Sequence, residues 1–461
     1  MTEKDYKLWL QRFGGWIFIW LAVSVVILRW LSINQLSSVF GSVSSFLLAF
    51  GRLTGLVGLV LYAINLLLAA RTRWMENFFG GLNRVYIAHH LTGGIALILL
   101  CFHPLFIALR LVDVHVLTTL RDAARYLLPR AMPTDTTFSD FQTAASINAG
   151  IFAFVGMVVL LVLTFFVKLP YRIWLATHKF LGVAFMFAGL HTIMINSEVS
   201  RDSFLRYYLL LWVVVGLSSF IYRTVMNNVF VRRYPYKVSD IQEFGGKVTG
   251  LVLEPMEKAL DFKPGQFVFI RFLWSGAEGV TREAHPFSIA SAPHESGKLA
   301  LYVKNLGDYT SGLKHLKVGT VAELEGAYGK FSYTNFGDRP QIWIAGGIGV
   351  TPFLSMARSY NQDSPNVDMI YSVVSRSELL DQKALAELLP SKFKGFRYFA
   401  YAGDEQEGFL TAQKVSDMVG GLEGKEIFIC GPPPMMKSLR GQLNSMGVSN
   451  HRIHTEEFSM Q

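Results

Sequence analysis

Two cysteines in 461 residues, Cys101 inside an apolar run and Cys430 in the later half, exclude a disulfide framework. The opening segment has no small-x-small cleavage site. After Lys4, Lys7 and Arg12 an apolar core runs from Gly15 to Ile33, broken only by Arg29, which is too long for a signal peptide and reads as a retained first span. No calcium-binding loop or other regulatory segment is visible, which suggests constitutive activity. The net charge of +9 carries no expectation of nucleic acid, because the arginines and lysines cluster at the ends of apolar runs, where they act as topology signals.

What the chain has in excess is apolar residues, 51% of the total with 36 phenylalanines, and they are unevenly spread. Up to about Asn227 the chain is a series of long apolar runs; beyond it apolar and polar residues alternate as in a globular protein. Six spans are expected in the lipid bilayer, at about 14–33, 42–69, 85–109, 147–168, 173–195 and 204–226. Basic residues gather between spans two and three (Arg71, Arg73, Arg84), between four and five (Lys168, Arg172) and after span six (Arg223, Arg232, Arg233). The first outer loop, Asn34 to Gly41, has none, and the third has only Arg201. The 110–146 loop, with four arginines, runs against the trend, but the balance places both termini in the cytoplasm of a cell (plasma or inner) membrane.

Four histidines stand out in this apolar half. His89 and His103 lie on span three, His178 and His191 on span five, each pair about 20 Å apart at helical rise. Polar rings inside hydrocarbon are costly, and four at matched depths point to two haems stacked across the membrane, an inner one on His89 and His178 and an outer one on His103 and His191. Fourteen residues return to within roughly 40° on an ideal helix, whereas thirteen fall roughly 140° away, so span five must be irregular or its ligands leave from different flanks. His90, also thirteen from His103, competes with His89. His89 is preferred because Gly93 follows it by four as Gly182 follows His178, a small residue that lets a flat macrocycle approach. His115 in the outer loop reads as a surface residue. Arg52, on the outer half of span two, needs a partner: it either snorkels to the surface or neutralises a haem propionate or a bound acceptor.

In the soluble half, short alternating runs over 236–333, such as Phe267–Phe272 and Leu299–Val303, suggest a small antiparallel β-barrel. From Gln341 strands alternate with helices: Gln341–Ala345, a helix from Thr351, Met369–Val374, a helix near Leu379–Leu389, and Glu426–Cys430 before a last helix. This is a doubly wound α/β pattern. The expected domains are 1–230, 231–337 and 338–461. Gly346-Gly347-Ile348-Gly349-Val350-Thr351-Pro352 follows a buried strand and opens a helix, as a dinucleotide phosphate turn requires. Gly307, with the Thr310 hydroxyl at a helix start, offers backbone N–H groups to a pyrophosphate. Ser375 and Arg376 follow the second α/β strand, where a cation suits a 2′-phosphate; this favours NADPH over NADH without excluding NADH.

The histidine pairs, His285-Pro286-Phe287-Ser288, Gly307-Asp308-Tyr309-Thr310 after Lys304, the glycine turn and Cys430-Gly431-Pro432-Pro433-Pro434-Met435 occur in an order that resembles the ferric reductase and NADPH oxidase superfamily. The resemblance implies a six-helix haem domain fused to an FAD and NAD(P)H dehydrogenase of the ferredoxin–NADP reductase type. It implies that Ser288 bonds the reactive edge of FAD, that His285 and Pro286 shape its site, that Cys430, Gly431 and Pro432 position the nicotinamide, and that Phe458 covers the flavin ring. Arg52 falls where the oxidases place an arginine near the outer haem. Ile107 departs from the pattern, because the animal oxidases have a histidine there. The expected activity is electron transfer from NADPH through FAD and two b-type haems to an acceptor outside, a ferric complex or oxygen. The alternatives are a superoxide-producing oxidase and a relay to an extracytoplasmic redox partner through the 110–146 loop.

Overall fold

The computed structural model describes residues 3–113, 128–132, 137–245, 247–293, 296–380, 393–406 and 408–456. His115, residues 114–127 and 133–136 of the 110–146 loop, most of the helix expected near Leu379–Leu389, and Phe458 lie outside the described residues. The chain divides into two compact units, Met1–Phe230 and Val231–Gln461.

The first unit contains six helices long and apolar enough to cross a membrane: Phe13–Ile33, Val43–Ala69, Leu82–Leu111, Phe138–Phe166, Arg172–Met194 and Ser203–Val225. The fourth begins nine residues before its apolar run because the Thr137 side chain caps it, accepting from Asp140 N. The second span is the central one, packed along the third and the sixth, while the fourth packs along the fifth. Exposed Leu28, Ile98, Phe165 and Phe166 face outward, as lipid requires.

The fifth span is interrupted. One helix, Tyr171–Lys179, ends at Phe180, and Leu181–Met194 starts anew. Phe180 N donates to Thr177 O at 3.1 Å, a tightened three-residue turn. Such a turn rotates more per residue than an α-helix, which narrows the mismatch that a thirteen-residue spacing creates.

In the second unit the first sheet is antiparallel, with strands β1 (Tyr234–Phe244), β2 (Val248–Pro255), β3 (Phe267–Leu273), β4 (His285–Ser288), β5 (Leu299–Lys304) and β6 (Val321–Tyr328) in the order β4-β3-β6-β1-β2-β5. It is an open six-stranded sheet, not the closed barrel expected. β4 is four residues long and carries Pro286, which has no N–H to offer a further strand, so the sheet ends there. Its core gathers Tyr236, Val238, Leu251, Ile270 and Leu301.

The second sheet is parallel, with β7 (Gln341–Gly346), β8 (Val367–Val373), β9 (Phe396–Ala402), β10 (Glu426–Cys430) and β11 (Ile453–Glu456) in the order β11-β10-β7-β8-β9. β7, β8 and β10 are buried along their whole length, because cores cover both faces: Trp343, Phe353 and Met356 on one, Ile344, Leu439 and Leu443 on the other. The strand order reverses between β7 and β10. That switch point is where open α/β sheets bind ligands, beyond the carboxyl ends of the strands.

Candidate functional sites

The four histidines meet in two pairs across the bundle of the first unit. The rings of His89 and His178 are 6.2 Å apart at 66°, and those of His103 and His191 are 6.1 Å apart at 64°. Two metal–imidazole bonds of about 2 Å each, plus about 1.2 Å from nitrogen to ring centre on each side, give about 6.4 Å. Each pair is therefore spaced to hold one ion between its rings. Among the described residues no group of three His, Cys, Asp or Glu is placed to hold a metal. Two imidazoles alone would leave an iron short of ligands, and a tetrapyrrole is a group that would supply the other four. His90 is exposed, with its ring 5.8 Å from that of His89.

Each Nδ1 is occupied by a neighbour. His103 reaches Gly51 O at 2.6 Å, His191 reaches Ser146 O at 2.8 Å and His89 reaches Asn65 O at 3.1 Å. A carbonyl accepts only, so these Nδ1 atoms carry the proton and Nε2 keeps its lone pair for a metal. His178 differs: its Nδ1 lies 3.5 Å from the Thr164 hydroxyl, which itself donates to Leu160 O at 2.7 Å. The ring of Trp174 stacks on it at 5.2 Å.

Glycines make this close approach possible, though not the ones expected. A Cβ on Gly55 would lie 2.7 Å from His103 Nδ1, and one on Gly150 would lie 2.8 Å from His191 Nδ1. Each follows its carbonyl by four residues: Gly51 and Gly55 on span two, Ser146 and Gly150 on span four. Gly93 and Gly182, singled out in the sequence as clearing room for a macrocycle, instead face the side chains of Asn65 and Phe220. They serve helix packing. The useful signal was a small residue on the neighbouring span, which reading span three or five alone does not reveal.

Between His103 and His191 lies a cavity of about 330 Å³, lined by apolar side chains including Leu56, Leu59, Ile107, Phe154 and Met157. Arg52 also lines it, with Nη1 donating to Glu198 Oε1 at 2.9 Å. The charge partner that Arg52 needs is thus a carboxylate of the chain itself, from the segment before span six. Similarly, Arg29 Nε donates to Asp202, the residue that caps span six, at 3.1 Å.

In the second unit β4 brings His285 against Tyr309, ring centres 3.7 Å apart, with Phe287 alongside at 6.5 Å. His285 Nε2 and the Tyr309 hydroxyl are buried with no hydrogen-bond partner. Burial lowers the pKa of His285 and raises that of Tyr309, so both stay neutral. Two neutral, buried, unsatisfied groups beside buried Ser288 fit a polar aromatic ligand such as a flavin. The Thr310 hydroxyl accepts from Leu306 N and Gly307 N at 2.9 and 3.0 Å, so it occupies two of the N–H groups expected to face a pyrophosphate. Lys304 pairs with Glu378 at 3.0 Å.

At the switch point the ends of β7 and β10 close on each other. A Cβ on Gly349 would collide with the Cys430 carbonyl, and one on Gly431 would lie 2.9 Å from Gly346 Cα. Gly347 has φ +52°, which glycine adopts without strain. Val350, Thr351 and Pro352 then open the helix Thr351–Arg358, with its proline in the first turn. Pro432 precedes the helix Pro433–Ser445. Cys430 is fully buried, and burial, with Glu456 beside it, pushes its thiol pKa well up. It shapes the turn as a neutral side chain. Ser375 and Arg376 follow β8, but both are held by acids: Ser375 Oγ donates to Asp404 at 2.7 Å and Arg376 Nη1 to Glu405 at 2.8 Å.

Comparison with known proteins accounts for both units. Residues 54–189 match a ferric reductase like transmembrane component, 233–350 an FAD-binding domain and 343–441 an oxidoreductase NAD-binding domain. The chain is 31% identical over 211 residues to the glycine betaine monooxygenase reductase subunit of Chromohalobacter salexigens, covering 43% of this chain and 56% of that protein. It is 29% identical over 229 residues to the 2-halobenzoate 1,2-dioxygenase electron transfer component of Burkholderia cepacia, covering 45% and 62%. The chain thus spans about three fifths of the length of these relatives. A crystal structure of an Amycolatopsis cytochrome P450 reductase is 24% identical, with a TM-score of 0.43 over 50% of this chain and 70% of that one. A membrane component followed by FAD- and NAD-binding domains gives this chain the architecture of the ferric reductase and NADPH oxidase superfamily.

Proposed function

We propose that the chain is a transmembrane NAD(P)H oxidoreductase that sends electrons from the nucleotide through FAD and two b-type haems to a ferric complex or oxygen outside, with both termini cytoplasmic. The observation that carries this reading is the pair of matched ring separations, 6.2 and 6.1 Å, in a unit that offers each ion only two imidazoles. His89 and His178 would hold one haem, His103 and His191 the other. Bound there, the haems carry single electrons, while FAD takes up a hydride and releases its electrons one at a time.

The chain's own groups do the positioning. The carbonyls of Gly51, Asn65 and Ser146 fix three imidazole tautomers. If His89 and His178 held one iron and His103 and His191 the other, no position would remain for oxygen to bind. Ile107, on the wall of the cavity, has no proton to donate, which favours delivery to a ferric complex over oxygen. Ser288, His285 and Tyr309 would receive the flavin, Gly346, Gly347 and Gly349 the nucleotide phosphates, and Gly431 and Pro432 the nicotinamide. A second reading, a relay to a separate protein, draws on the relatives named as electron transfer and reductase components of oxygenases.

Purified full-length protein should contain two haems per chain by pyridine haemochrome. Under anaerobiosis, NAD(P)H should reduce them, and a ferric chelate should reoxidise them. Absence of b-type haem would end this reading. Slow turnover with both chelate and oxygen would favour the relay.

A further inference from the structure

We infer that Asp404 and Glu405 make the nucleotide site selective for NADH over NADPH. The inference rests on the nucleotide seat proposed above, at the carboxyl ends of β7 and β8. β8 runs parallel to β7, so Ser375 and Arg376 leave the sheet at the same edge as the glycine turn, where the adenosine ribose falls in doubly wound folds. In sequence they read as a 2′-phosphate site: a hydroxyl, a backbone N–H and a guanidinium.

The fold brings two carboxylates to the same place. β9 runs parallel to β8, and its exit is fastened to the β8 exit by Gly403 N donating to Val373 O at 3.0 Å and Asp404 N to Val374 O at 3.1 Å. Asp404 then takes the Ser375 hydroxyl at 2.7 Å and the Arg376 N–H at 3.2 and 3.3 Å, and Glu405 takes the Arg376 guanidinium at 2.8 Å. Each donor a 2′-phosphate would use is therefore already bound to an acid. The Ser375 hydroxyl holds the Asp404 carboxyl below the usual carboxylate range, so it is ionised when the enzyme works. Glu378, in the segment after β8, is paired with Lys304. A 2′-phosphate carries close to two negative charges and would have to displace both carboxylates and then lie beside them. An unphosphorylated ribose meets no such conflict, because its 2′-hydroxyl donates to a carboxylate.

The test is flavin bleaching by each nucleotide, followed anaerobically in purified full-length protein with its FAD content verified. The wild type should show kcat/KM for NADH exceeding that for NADPH by about tenfold or more. Asp404→Asn/Glu405→Gln should lower that ratio by about tenfold or more, chiefly through the KM for NADPH. The single variant Glu405→Gln, at an exposed position, should lower it in the same direction. Adding Arg376→Ala to the double variant should cancel the NADPH gain. A wild-type preference for NADPH, or a ratio that both carboxylate variants leave unchanged, overturns the inference while the underlying reading stands. Flavin that neither nucleotide bleaches overturns the nucleotide seat itself, and the inference with it.

Discussion

In the membrane-spanning unit each ring of the histidine pairs is tethered through Nδ1 to a carbonyl or hydroxyl of a neighbouring span. In the soluble unit the turn between β7 and β10 is made of backbone, with glycines standing where a side chain would collide. The difference follows from solvent. Inside a bilayer the helical backbone spends its N–H groups on itself, so side chains build the site, and their ring N–H groups turn to carbonyl or hydroxyl oxygens of the neighbouring span because water is absent. At the end of a parallel sheet the backbone leaves its ladder, and its free N–H groups become the binding surface. Side-chain deletion should therefore damage the first site most, whereas at the second, where backbone forms the surface, the damaging change is an added methyl.

The largest effect is expected for His191→Ala. One of the two haems should be lost, halving the pyridine haemochrome signal per chain and stopping electron delivery to a ferric chelate, while flavin bleaching by NAD(P)H persists. Loss of flavin reduction in this variant would break the separation between the two units. Next comes Gly349→Ala, whose methyl would meet the Cys430 carbonyl. Forcing the β7 and β10 ends apart should cost about 1–3 kcal/mol. Nucleotide KM should rise and the soluble half should melt earlier by calorimetry, with haem content unchanged. The smallest effect is expected for Thr164→Val, which removes the hydroxyl beside His178 Nδ1. A weaker acceptor makes a less basic ligand, so the potential of the haem on His178 should rise, by less than about 60 mV, the one-electron equivalent of tenfold. Thr164→Ser should restore it in a redox titration. No shift would show that Thr164 only packs.

Much of the architecture was legible in the sequence. Hydrophobic runs marked all six spans, because a bilayer imposes length and composition without reference to tertiary contacts. The glycine turn was legible for a similar reason: strand, turn and helix are consecutive in the chain. The break at Phe180 was legible indirectly, because thirteen residues between two histidines do not suit one regular helix. The open edge of the first sheet was not, because closure depends on whether β4 finds a second partner, and alternation along a strand says nothing of that.

Residue type and spacing thus determined by themselves what the chain has to work with: four imidazoles within apolar spans, an arginine within span two, a glycine turn, and a serine–arginine pair after the second α/β strand. Only the tertiary structure decided how these groups are used. It set Gly55 and Gly150, not Gly93 and Gly182, against histidine rings, gave Arg52 a carboxylate in Glu198, and placed Asp404 and Glu405 on Ser375 and Arg376. The physical reason is common to all three. A partner tens of residues away or more, 29 for Arg376 and Glu405 and 146 for Arg52 and Glu198, leaves no periodic trace in the chain, yet in the fold it fixes the charge and the open space that each group meets.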